Sequence, residues 1–401
     1  MTLPLIIRRS LRQHLLSTVV TALSIALAGG LLMTVWVVKT QSQALFAQTN
    51  SGFDAVLGAR GSPLQLVLNS IFHLEASPGN VAAEDLQYIA RHPLVKAAIP
   101  IAVGDNFKGW RIVGTVPELF TKIEYAPGKK YALAAGRLFE GTAKEAVVGS
   151  FAAQALGWKL GDTFHPFHGL TYVPNGDQHP DVFTITGILA PTNTPVDRVI
   201  WIPLAGIQTM SGHDPKHATE VSAVLLQLRS PLAGAVLDGM YNKQGNRLTL
   251  AWPIGTIIAG LFNKISWFDE VLTLVAWLVA LVAAGSVLSS IYNSMSARQR
   301  DIAILRALGA RRRLVFGAVV AEAATIGVLG SLAGGAVYAI LLTGIAAVIR
   351  AQTGVVLEPF AWQPVFAWAP AALIGLCALG GLVPAFKAYR VPVAETLAPT
   401  S

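Results

Sequence analysis

Seven of the eight histidines lie between residues 73 and 217, and two pairs among them have the spacing of metal ligands. His165 and His168 are three residues apart, which suits chelation from a turn. His213 and His217 are four residues apart, which suits chelation from one face of a helix, and Asp214 would supplement them. The simpler interpretation is that these are polar loop histidines without a metal. The sequence leaves both interpretations open and predicts no definite metal centre.

Other chemistry-bearing patterns are missing from the sequence. There is no G-x-x-x-x-G-K-[ST] phosphate-binding loop, so the chain cannot bind ATP by that mechanism. No G-x-S-x-G nucleophile motif and no paired-carboxylate pattern stands out. The single cysteine, Cys377, excludes an intrachain disulfide and a thiolate cluster. We therefore predict no enzyme activity and no cofactor in this chain.

The amino-acid composition indicates the class of protein to which these residues belong. Of the 401 residues, 53% are hydrophobic and 13% are charged. Soluble domains carry roughly 25% charged residues, so about half of the usual charge is missing. The 37 glycines and 22 prolines are near average usage, which excludes collagen-like and low-complexity chains. The composition predicts a membrane protein.

A net charge of +8 is compatible with nucleic-acid binding, so the positions of the basic residues must be compared with that function. Residues 40–270 contain 17 Lys and Arg against 18 Asp and Glu, so this region is balanced. The excess lies in three short segments beside apolar runs, which is the positive-inside pattern of a membrane protein and not a phosphate-binding stripe. These basic residues are Arg8, Arg9, Arg12, Arg298, Arg300, Arg306, Arg311, Arg312, Arg313, Lys387 and Arg390.

Apolar runs long enough to cross a bilayer predict four spans. The run at 314–349 has 36 residues, about 54 Å as one helix, so we expect it to project beyond the bilayer or to bend at its glycines. The first run exceeds the apolar core of a signal peptide and is read as an uncleaved anchor. The predicted organisation is 1–14 cytoplasmic, 15–38 first span, 39–270 extracytoplasmic domain, 271–293 second span, 294–313 cytoplasmic segment, 314–349 third span, 350–364 external loop, 365–387 fourth span and 388–401 cytoplasmic tail.

The region 39–270 is large enough for its own core and reads as α+β. Residues 248–263 read as a returning strand and a helical lead into the second span. Helices are predicted at 83–91, capped by Asn80, and at 150–156. The predicted strands are 97–103, 110–114, 145–149, 182–189, 199–202 and 221–228. The predicted fold class is thus an α-helical membrane protein with four transmembrane helices and an α+β extracytoplasmic domain between the first and second.

Residues 54–75 form a distinctive stretch just after the first span. A glycine-rich turn at 58–61 precedes Pro63 at an expected helix start, and Leu64, Leu68 and Ile71 would share one apolar face. The element would either line a dimer stalk or substrate entry, or simply pack against the stalk of the second span. The sequence does not separate these two interpretations.

The cytoplasmic segment 294–313 predicts a short amphipathic helix at the membrane face. Ile302, Leu305 and Leu308 recur every three residues, with charged residues around them, and Gly309 would end the helix. Such a helix suits docking into a groove on a soluble partner. A solvated basic loop or a lipid-headgroup anchor is the alternative.

Here the sequence resembles the FtsX-like permeases, the MacB type of ABC transporter. That family has a motif R-x-x-E-I-A-I-L-R-A-L-G-A after its second span, and residues 298–310 read RQRDIAILRALGA. Asp301 replaces the usual Glu and keeps its charge. The residues that the resemblance assigns to ATPase coupling are Arg298, Arg300, Asp301, Ile302, Leu305, Arg306, Leu308 and Gly309.

Other segments carry the same resemblance in the expected order. The tail from Gly381 through Leu397 is similar to the family's closing G-x-x-P-A-x-x-A-x-R-x-x-P-x-E-x-L. In the external region, short motifs at 110–115, 135–137, 147–150, 156–162 and 183–187 resemble those of the MacB-like periplasmic core domain. The resemblance therefore covers nearly the whole chain, although the external motifs are individually weak.

The resemblance implies an inner-membrane permease subunit whose N- and C-termini are cytoplasmic. It would form a homodimer and pair with two copies of a cytoplasmic ABC ATPase, which would bind ATP and magnesium. ATPase movement would reach the external domain through the long first and second spans, an action called mechanotransmission. A periplasmic adaptor or substrate-binding protein and membrane lipids are further expected partners, and nucleic acid is not.

Three functions remain open on the sequence. The first is extraction or export of a substrate. The second is transenvelope signalling that activates a periplasmic partner, such as a hydrolase, without transport. Metal-associated transport, with zinc as the metal, is a weaker alternative that rests only on the histidines.

Glu322 is a carboxylate inside the third span, where a charge costs at least about 2.5–3.5 kcal/mol. We expect it to have a hydrogen-bonding partner on the coupling segment or on a neighbouring helix. The alternative is that it faces water on the cytoplasmic side. Gly327, Gly330, Gly334 and Gly335 nearby would allow helices to pack closely, or would only bend the span.

Overall fold

The computed structural model describes residues 3–13, 15–48, 51–174, 176–307, 309–354 and 356–390. The chain divides into two compact units. We call them the helical unit (Met1–Gln41, Ile265–Ala347 and Glu358–Ser401) and the α/β unit (Ser42–Lys264 and Val348–Leu357).

The helices of the described ranges include both short elements and helices of up to 54 residues. In chain order they are α1 Leu3–Gln13, α2 Leu15–Gln48, α3 Pro63–Ser70, α4 Ala83–Ala90, α5 Glu118–Lys122, α6 Ser150–Leu156, α7 Leu204–Gln208, α8 Pro231–Asp238, α9 Ile254–Ala307, α10 Arg312–Thr353, α11 Val365–Gly380 and α12 Leu382–Tyr389.

The strands all lie in the α/β unit. They are β1 Ala55–Ala59, β2 Val95–Phe107, β3 Trp110–Thr115, β4 Glu124–Ala126, β5 Lys129–Lys130, β6 Leu133–Gly136, β7 Glu145–Val148, β8 Thr163–Phe164, β9 Phe167–His168, β10 Phe183–Leu189, β11 Ile200–Pro203, β12 Ala223–Leu228 and β13 Leu248–Ala251.

One mixed sheet carries most of these strands, in the order β13-β1-β12-β2-β3-β11-β7-β10-β6. The pairs β3–β11 and β7–β10 are parallel and the other pairs along this path are antiparallel. β8 pairs with β10, β9 pairs with β2, and β4 and β5 form a separate hairpin. Helices of the unit pack on this sheet, and the apolar core of the unit includes Phe53, Leu66, Ile101 and Trp201.

Four helical stretches in the described ranges are long and apolar enough to cross a membrane. They are Leu15–Ser42, Ile254–Ser289, Arg312–Thr353 and Val365–Tyr389. This arrangement, with the α/β unit inserted between the first and second stretch, confirms the predicted fold class. The helices are longer than the predicted spans, and the third is one helix of 42 residues.

Glycines bring the helices of the helical unit close together. A Cβ added at Gly330 would lie 2.6 Å from Cβ of Ile25 in α2, and one at Gly327 would lie 3.1 Å from Cβ of Cys377 in α11. Only a residue without a side chain allows such an approach. Gly335 has no neighbour within 4 Å of that position. Close packing is therefore what the structure shows at Gly327 and Gly330.

Gln41 near the end of the first apolar stretch is joined to the loop after α10. Its side-chain nitrogen donates to the backbone carbonyl of Glu358 at 2.9 Å, and its side-chain oxygen accepts from the backbone N–H of Glu358 at 2.9 Å. One amide side chain thus satisfies both backbone groups of one residue.

The six predicted strands are present as β2, β3, β7, β10, β11 and β12. β2 runs further than predicted because it pairs with β12 along its first half and with β3 along its second. The predicted helices are α4 and α6, but Asn80 does not cap α4: the N-cap is Ala82, and the Asn80 amide donates to Glu220 instead.

The stretch 54–75 differs from its prediction. Gly58 lies in β1 and not in a turn, and a Cβ there would lie 2.3 Å from Leu66, so this glycine lets α3 pack over the strand. Pro63 begins α3 as predicted, with Ser62 as its cap. The buried face of α3 contains Leu66 and Val67, which belong to the main core of the α/β unit. Of the three predicted residues, Ile71 just after α3 is buried in this core, whereas Leu64 and Leu68 are only partly buried.

Candidate functional site

Four side chains from separate parts of the α/β unit converge on one point. Asp105 lies in β2, His168 ends β9, His179 precedes β10 and His213 follows α7. One ligand atom from each lies within 4.8 Å of the others. We call these four residues the histidine cluster.

The Asp105 carboxylate is at the centre of the histidine cluster. Its Oδ1 lies 3.1 Å from Nε2 of His179, 3.3 Å from Nε2 of His213 and 3.7 Å from Nδ1 of His168. Nδ1 of His168 and Nε2 of His179 are 3.4 Å apart. Three imidazole nitrogens therefore face a single carboxylate oxygen.

Strand pairing places Asp105 beside His168. The two residues are cross-strand partners in the β2–β9 pair, and the register between β2 and β3 shifts between Val103 and Asp105. A bulge of this kind changes the direction in which the side chains point. Both Asp105 and Asn106 are fully buried here. Asn106 donates to the carbonyl of Gly169 at 2.8 Å, which fixes the turn that follows His168.

Backbone carbonyls orient the other two histidines. Nδ1 of His179 lies 2.6 Å from the carbonyl oxygen of Ser211, and Nδ1 of His213 lies 2.9 Å from that of Ile207. Because a carbonyl only accepts, each Nδ1 must carry the hydrogen. Each ring therefore presents Nε2 to Asp105, as metal-binding histidines do.

An ion pair beside the histidine cluster holds the segment that orients His179. Asp181 accepts from Lys144 and from the backbone N–H of Ser211, the residue whose carbonyl holds His179. Burial alone would raise the pKa of Asp181, but the hydrogen bonds from Lys144 and Ser211 outweigh it and lower that pKa. The hydrogen bond to Asp105 raises the pKa of His213.

The structure brings together one histidine of each predicted pair. His168 and His213 belong to the histidine cluster, whereas Nδ1 of His165 faces the carbonyl of His179 at 3.3 Å and His217 contacts the Glu220 carboxylate at 2.7 Å. Asp214, the suggested supplementary ligand, instead caps a short 3-10 turn, where its side chain accepts from the backbone N–H of Lys216. The pairings inferred from spacing are thus not the ones that the fold makes.

Asp105 and His179 were missed by the sequence analysis. Neither has a ligand-like neighbour at i+3 or i+4, since His179 follows His168 by eleven residues and Asp105 is an isolated acid in a strand. Their meeting depends on strand register and on the loop before β10. No local pattern in the sequence carries that information.

The coupling segment has a different structure from the one predicted. Residues 294–307 continue α9 without a break, so they do not form a separate short helix. The helix ends as predicted at Gly309, which has φ 97° and donates to the Arg306 carbonyl at 3.1 Å. Arg306 is half-buried in its last turn. Of the other coupling residues, Leu308 lies outside the described residues, and the side chains of Arg298, Arg300, Asp301, Ile302 and Leu305 lie outside the described side chains.

Glu322 lies in α10 and is 8% exposed. The hydroxyl of Ser10 in α1 donates to its Oε1. The carboxylate therefore has a hydrogen-bond donor on another helix, which is the kind of contact expected for an acid at this depth.

The C-terminal part of the chain, which contains the coupling segment, matches a known protein family. Residues 273–393 match the family described as FtsX-like permease C-terminal. This match confirms, for this part of the chain, the resemblance to FtsX-like permeases of ABC-type transporters that the coupling motif and the tail carried. No curated protein matches the chain.

Two solved structures show weak similarity to parts of the chain. The extracellular domain of the noncanonic ABC-type transporter YknZ from Gram-positive bacteria aligns with a TM-score of 0.30 and 16% identity, over 49% of this chain and 97% of that one. The periplasmic region of MacB from Actinobacillus actinomycetemcomitans aligns with a TM-score of 0.36 and 12% identity, over 53% of this chain and 95% of that one. TM-scores this low carry no weight for function.

Proposed function

We propose that this chain is the permease subunit of a mechanotransmission ABC transporter. In this proposal, the α/β unit lies on the external side of the inner membrane. ATP hydrolysis by a separate cytoplasmic ATPase moves this unit, and that movement extracts or exports a substrate. The observation that carries the proposal is the family match over residues 273–393, which contain the coupling segment.

The continuity of α9 supports mechanical coupling. This helix has 54 residues, about 81 Å, whereas the hydrocarbon core of a bilayer is about 30 Å thick. Two residues separate it from β13, and Ile254 and Ile258 in its first turns are buried in the core of the α/β unit. Its last turns contain the coupling motif. In this proposal, the helix carries a displacement from one of its ends to the other.

The helix on the other side of the coupling segment also ends within the α/β unit. Residues 348–357, which include the last turns of α10, belong to that unit. Arg198 donates to the carbonyl of Gln352, and the Arg350 guanidinium lies 5.0 Å from the ring centroid of Phe151. Both helices that flank the coupling segment are therefore anchored in the unit that would move.

The nucleotide site must be elsewhere in this proposal. Because the sequence has no phosphate-binding loop, ATP and magnesium would bind to the partner ATPase, two copies of which would pair with a homodimer of this chain. The N- and C-termini would be cytoplasmic, where the basic segments of the sequence favour them.

Introducing negative charge into the apolar stripe of the coupling segment tests the proposal. The change Leu305→Asp together with Leu308→Asp should abolish co-purification of the ATPase with the detergent-solubilised chain, because the apolar stripe would no longer dock. Leu232→Asp is the matched control, since Leu232 in α8 is 73% exposed and belongs to the α/β unit. It should leave co-purification unchanged.

Two outcomes would contradict the proposal. Retention of the ATPase by the double variant would exclude docking through this segment. If the ATPase co-purifies with the wild-type chain and hydrolyses ATP, but no substrate moves and a periplasmic enzyme becomes active, the transenvelope signalling alternative is correct.

A further inference from the structure

We propose that the histidine cluster binds one divalent transition-metal ion, with Zn²⁺ as its best-fitting occupant. The ligands are Nε2 of His179, Nε2 of His213, Nδ1 of His168 and the carboxylate of Asp105. This site is independent of the coupling segment, so it stands or falls separately from the proposed function.

The spacing of the donor atoms fits a tetrahedral ion. With zinc–ligand distances of about 2.0–2.1 Å, the edges of the tetrahedron are about 3.3 Å long. The distances from Asp105 Oδ1 to the three histidine nitrogens are 3.1, 3.3 and 3.7 Å, and His168 Nδ1 to His179 Nε2 is 3.4 Å. All four ligand atoms lie within 4.8 Å of one another, so they surround a space the size of a single ion.

The hydrogen-bond arrangement requires positive charge at the centre. His179 and His213 use their Nδ1 hydrogens on backbone carbonyls, so a neutral ring turns an Nε2 lone pair toward the Asp105 oxygen. Lone pairs facing a carboxylate repel unless protons or a cation lie between them. A metal ion satisfies all three nitrogens and the carboxylate together.

A second observation points to the same centre. Asp105 is fully buried, and its Oδ2 has no hydrogen-bond donor among the residues that the structure describes. A buried carboxylate oxygen without a partner is costly, and carboxylates of this kind are paired or bind metals. A bidentate or shifted carboxylate would use Oδ2 as a metal ligand.

The ligand set selects the class of metal. Imidazole nitrogens suit zinc, copper, iron and nickel, whereas Mg²⁺ and Ca²⁺ prefer all-oxygen sites. The cluster contains no thiolate, which disfavours Cu(I). Zn²⁺ fits best because it accepts tetrahedral nitrogen and oxygen ligands without a preference for other geometries.

A bound ion would join segments that are far apart in sequence. It would tie β2 and β9 to the loop before β10 and to the segment after α7. The His168 side chain is 55% exposed, so the ion would reach the site directly from solvent. Metal binding would therefore stabilise the α/β unit by an amount that rises with the logarithm of the free zinc concentration above the dissociation constant.

The test uses the full-length chain in detergent, purified with a tag free of histidine and treated with a chelator. Titration with Zn²⁺ should show one site per chain, and Co²⁺ should give the visible absorption of a tetrahedral complex. His179→Gln and His168→Gln should each weaken zinc binding by at least about tenfold, since even residues behind a metal ligand contribute 10–100-fold. His168→Gln is the safer variant for folding because its side chain is half-exposed.

The two predicted histidines outside the cluster provide matched controls. His165→Gln and His217→Gln remove the same chemical group from the same region and should leave zinc affinity unchanged. The proposal is overturned if the chelator-treated wild type binds no zinc, or if the control variants lose as much affinity as the cluster variants. Thermal unfolding of the metal-free proteins separates a lost ligand from a lost fold, because His168→Gln should match the metal-free wild type and lack only the stabilisation by zinc.

Discussion

In the helical unit, helices approach one another at glycines, whereas the core of the α/β unit is filled by large aromatic side chains. Gly330 of α10 meets Ile25 of α2 with no room for a Cβ. In the α/β unit, Trp201 packs edge-on against Phe120 and His73, and Phe120 packs against Tyr131 and Phe139. Lipid removes the hydrophobic drive between membrane helices, so close backbone contact replaces it there, while water drives the burial of aromatic area in the other unit.

The two units also differ in how they bury polar groups. The buried acid described in the helical unit, Glu322, receives a hydrogen bond from one serine on another helix. The α/β unit buries Asp105 against three histidines and Asp197 against the loop at Thr192 and Asn193. Desolvation raises the pKa of Asp197 despite these hydrogen bonds. Buried titratable groups of this kind make the stability of the α/β unit depend on pH.

The largest effect is expected for Trp201→Ala, because Trp201 is 1% exposed at the centre of the aromatic core. Removing a buried aromatic side chain of this size costs about 3–5 kcal/mol of unfolding free energy. Urea unfolding of the detergent-solubilised chain, followed by circular dichroism, measures the loss. Leu232→Ala, at a residue 73% exposed, should change the unfolding free energy by less than about 0.5 kcal/mol. Equal losses in the two variants would show that the core does not depend on Trp201.

The matching change in the helical unit is Gly330→Ala, with a smaller expected effect. The added Cβ would lie 2.6 Å from that of Ile25, and overpacking of this kind costs about 1–3 kcal/mol. Gly335→Ala is the control, because nothing lies within 4 Å of its added Cβ and alanine is the better helix former. Thermal unfolding in detergent should show a lower midpoint for Gly330→Ala and an equal or higher one for Gly335→Ala. The reverse order would contradict close packing at Gly330.

The last prediction concerns the pH dependence of the unfolding free energy, to which His73 contributes only in acid. Burial, aided by Arg111 and Arg198, lowers the pKa of His73 from 6.5 to about 3. Between these values the unfolded chain binds a proton that the folded chain does not, so this residue lowers stability as pH falls from 6.5 toward 3. The slope approaches about 1.4 kcal/mol per pH unit. The measurement is the difference between the unfolding free energies at pH 7 and at pH 5. His73→Asn should reduce this difference by about 2 kcal/mol.

The choice of asparagine and of a control makes this measurement specific. His73 has φ 56°, a conformation that asparagine tolerates, and asparagine does not titrate. His217→Asn changes a histidine whose side chain is 58% exposed, and it should change the pH difference far less. An unchanged difference in His73→Asn would mean that the folded chain accepts the proton at this site.

Much of the fold was predictable because it depends on local patterns. Apolar runs predicted the membrane-crossing helices, and shorter strand-like runs predicted the six main strands. The short strands β8 and β9 have two residues each and show no periodicity of their own. The continuity of α9 through the coupling segment was missed because a change from apolar to charged residues looks like a helix boundary, although the backbone does not require one.

The histidine cluster was only partly predictable for a related reason. Spacing identified His168 and His213, since ligands three or four residues apart are a recognisable pattern. It paired them with His165 and His217, which the fold directs elsewhere. Asp105 and His179 reach the cluster through sheet register and a loop, and such long-range placement has no counterpart in local sequence.

The contact between Gln41 and Glu358 limits which residue can occupy position 41. A side chain there must offer a donor and an acceptor at the spacing of one peptide group, and it must extend far enough to reach across from one helix to a loop. Glutamate would lack the donor, lysine would lack the acceptor, and asparagine would be one methylene too short. Glutamine meets all of these requirements, so the contact between α2 and the loop after α10 depends on a single side-chain amide.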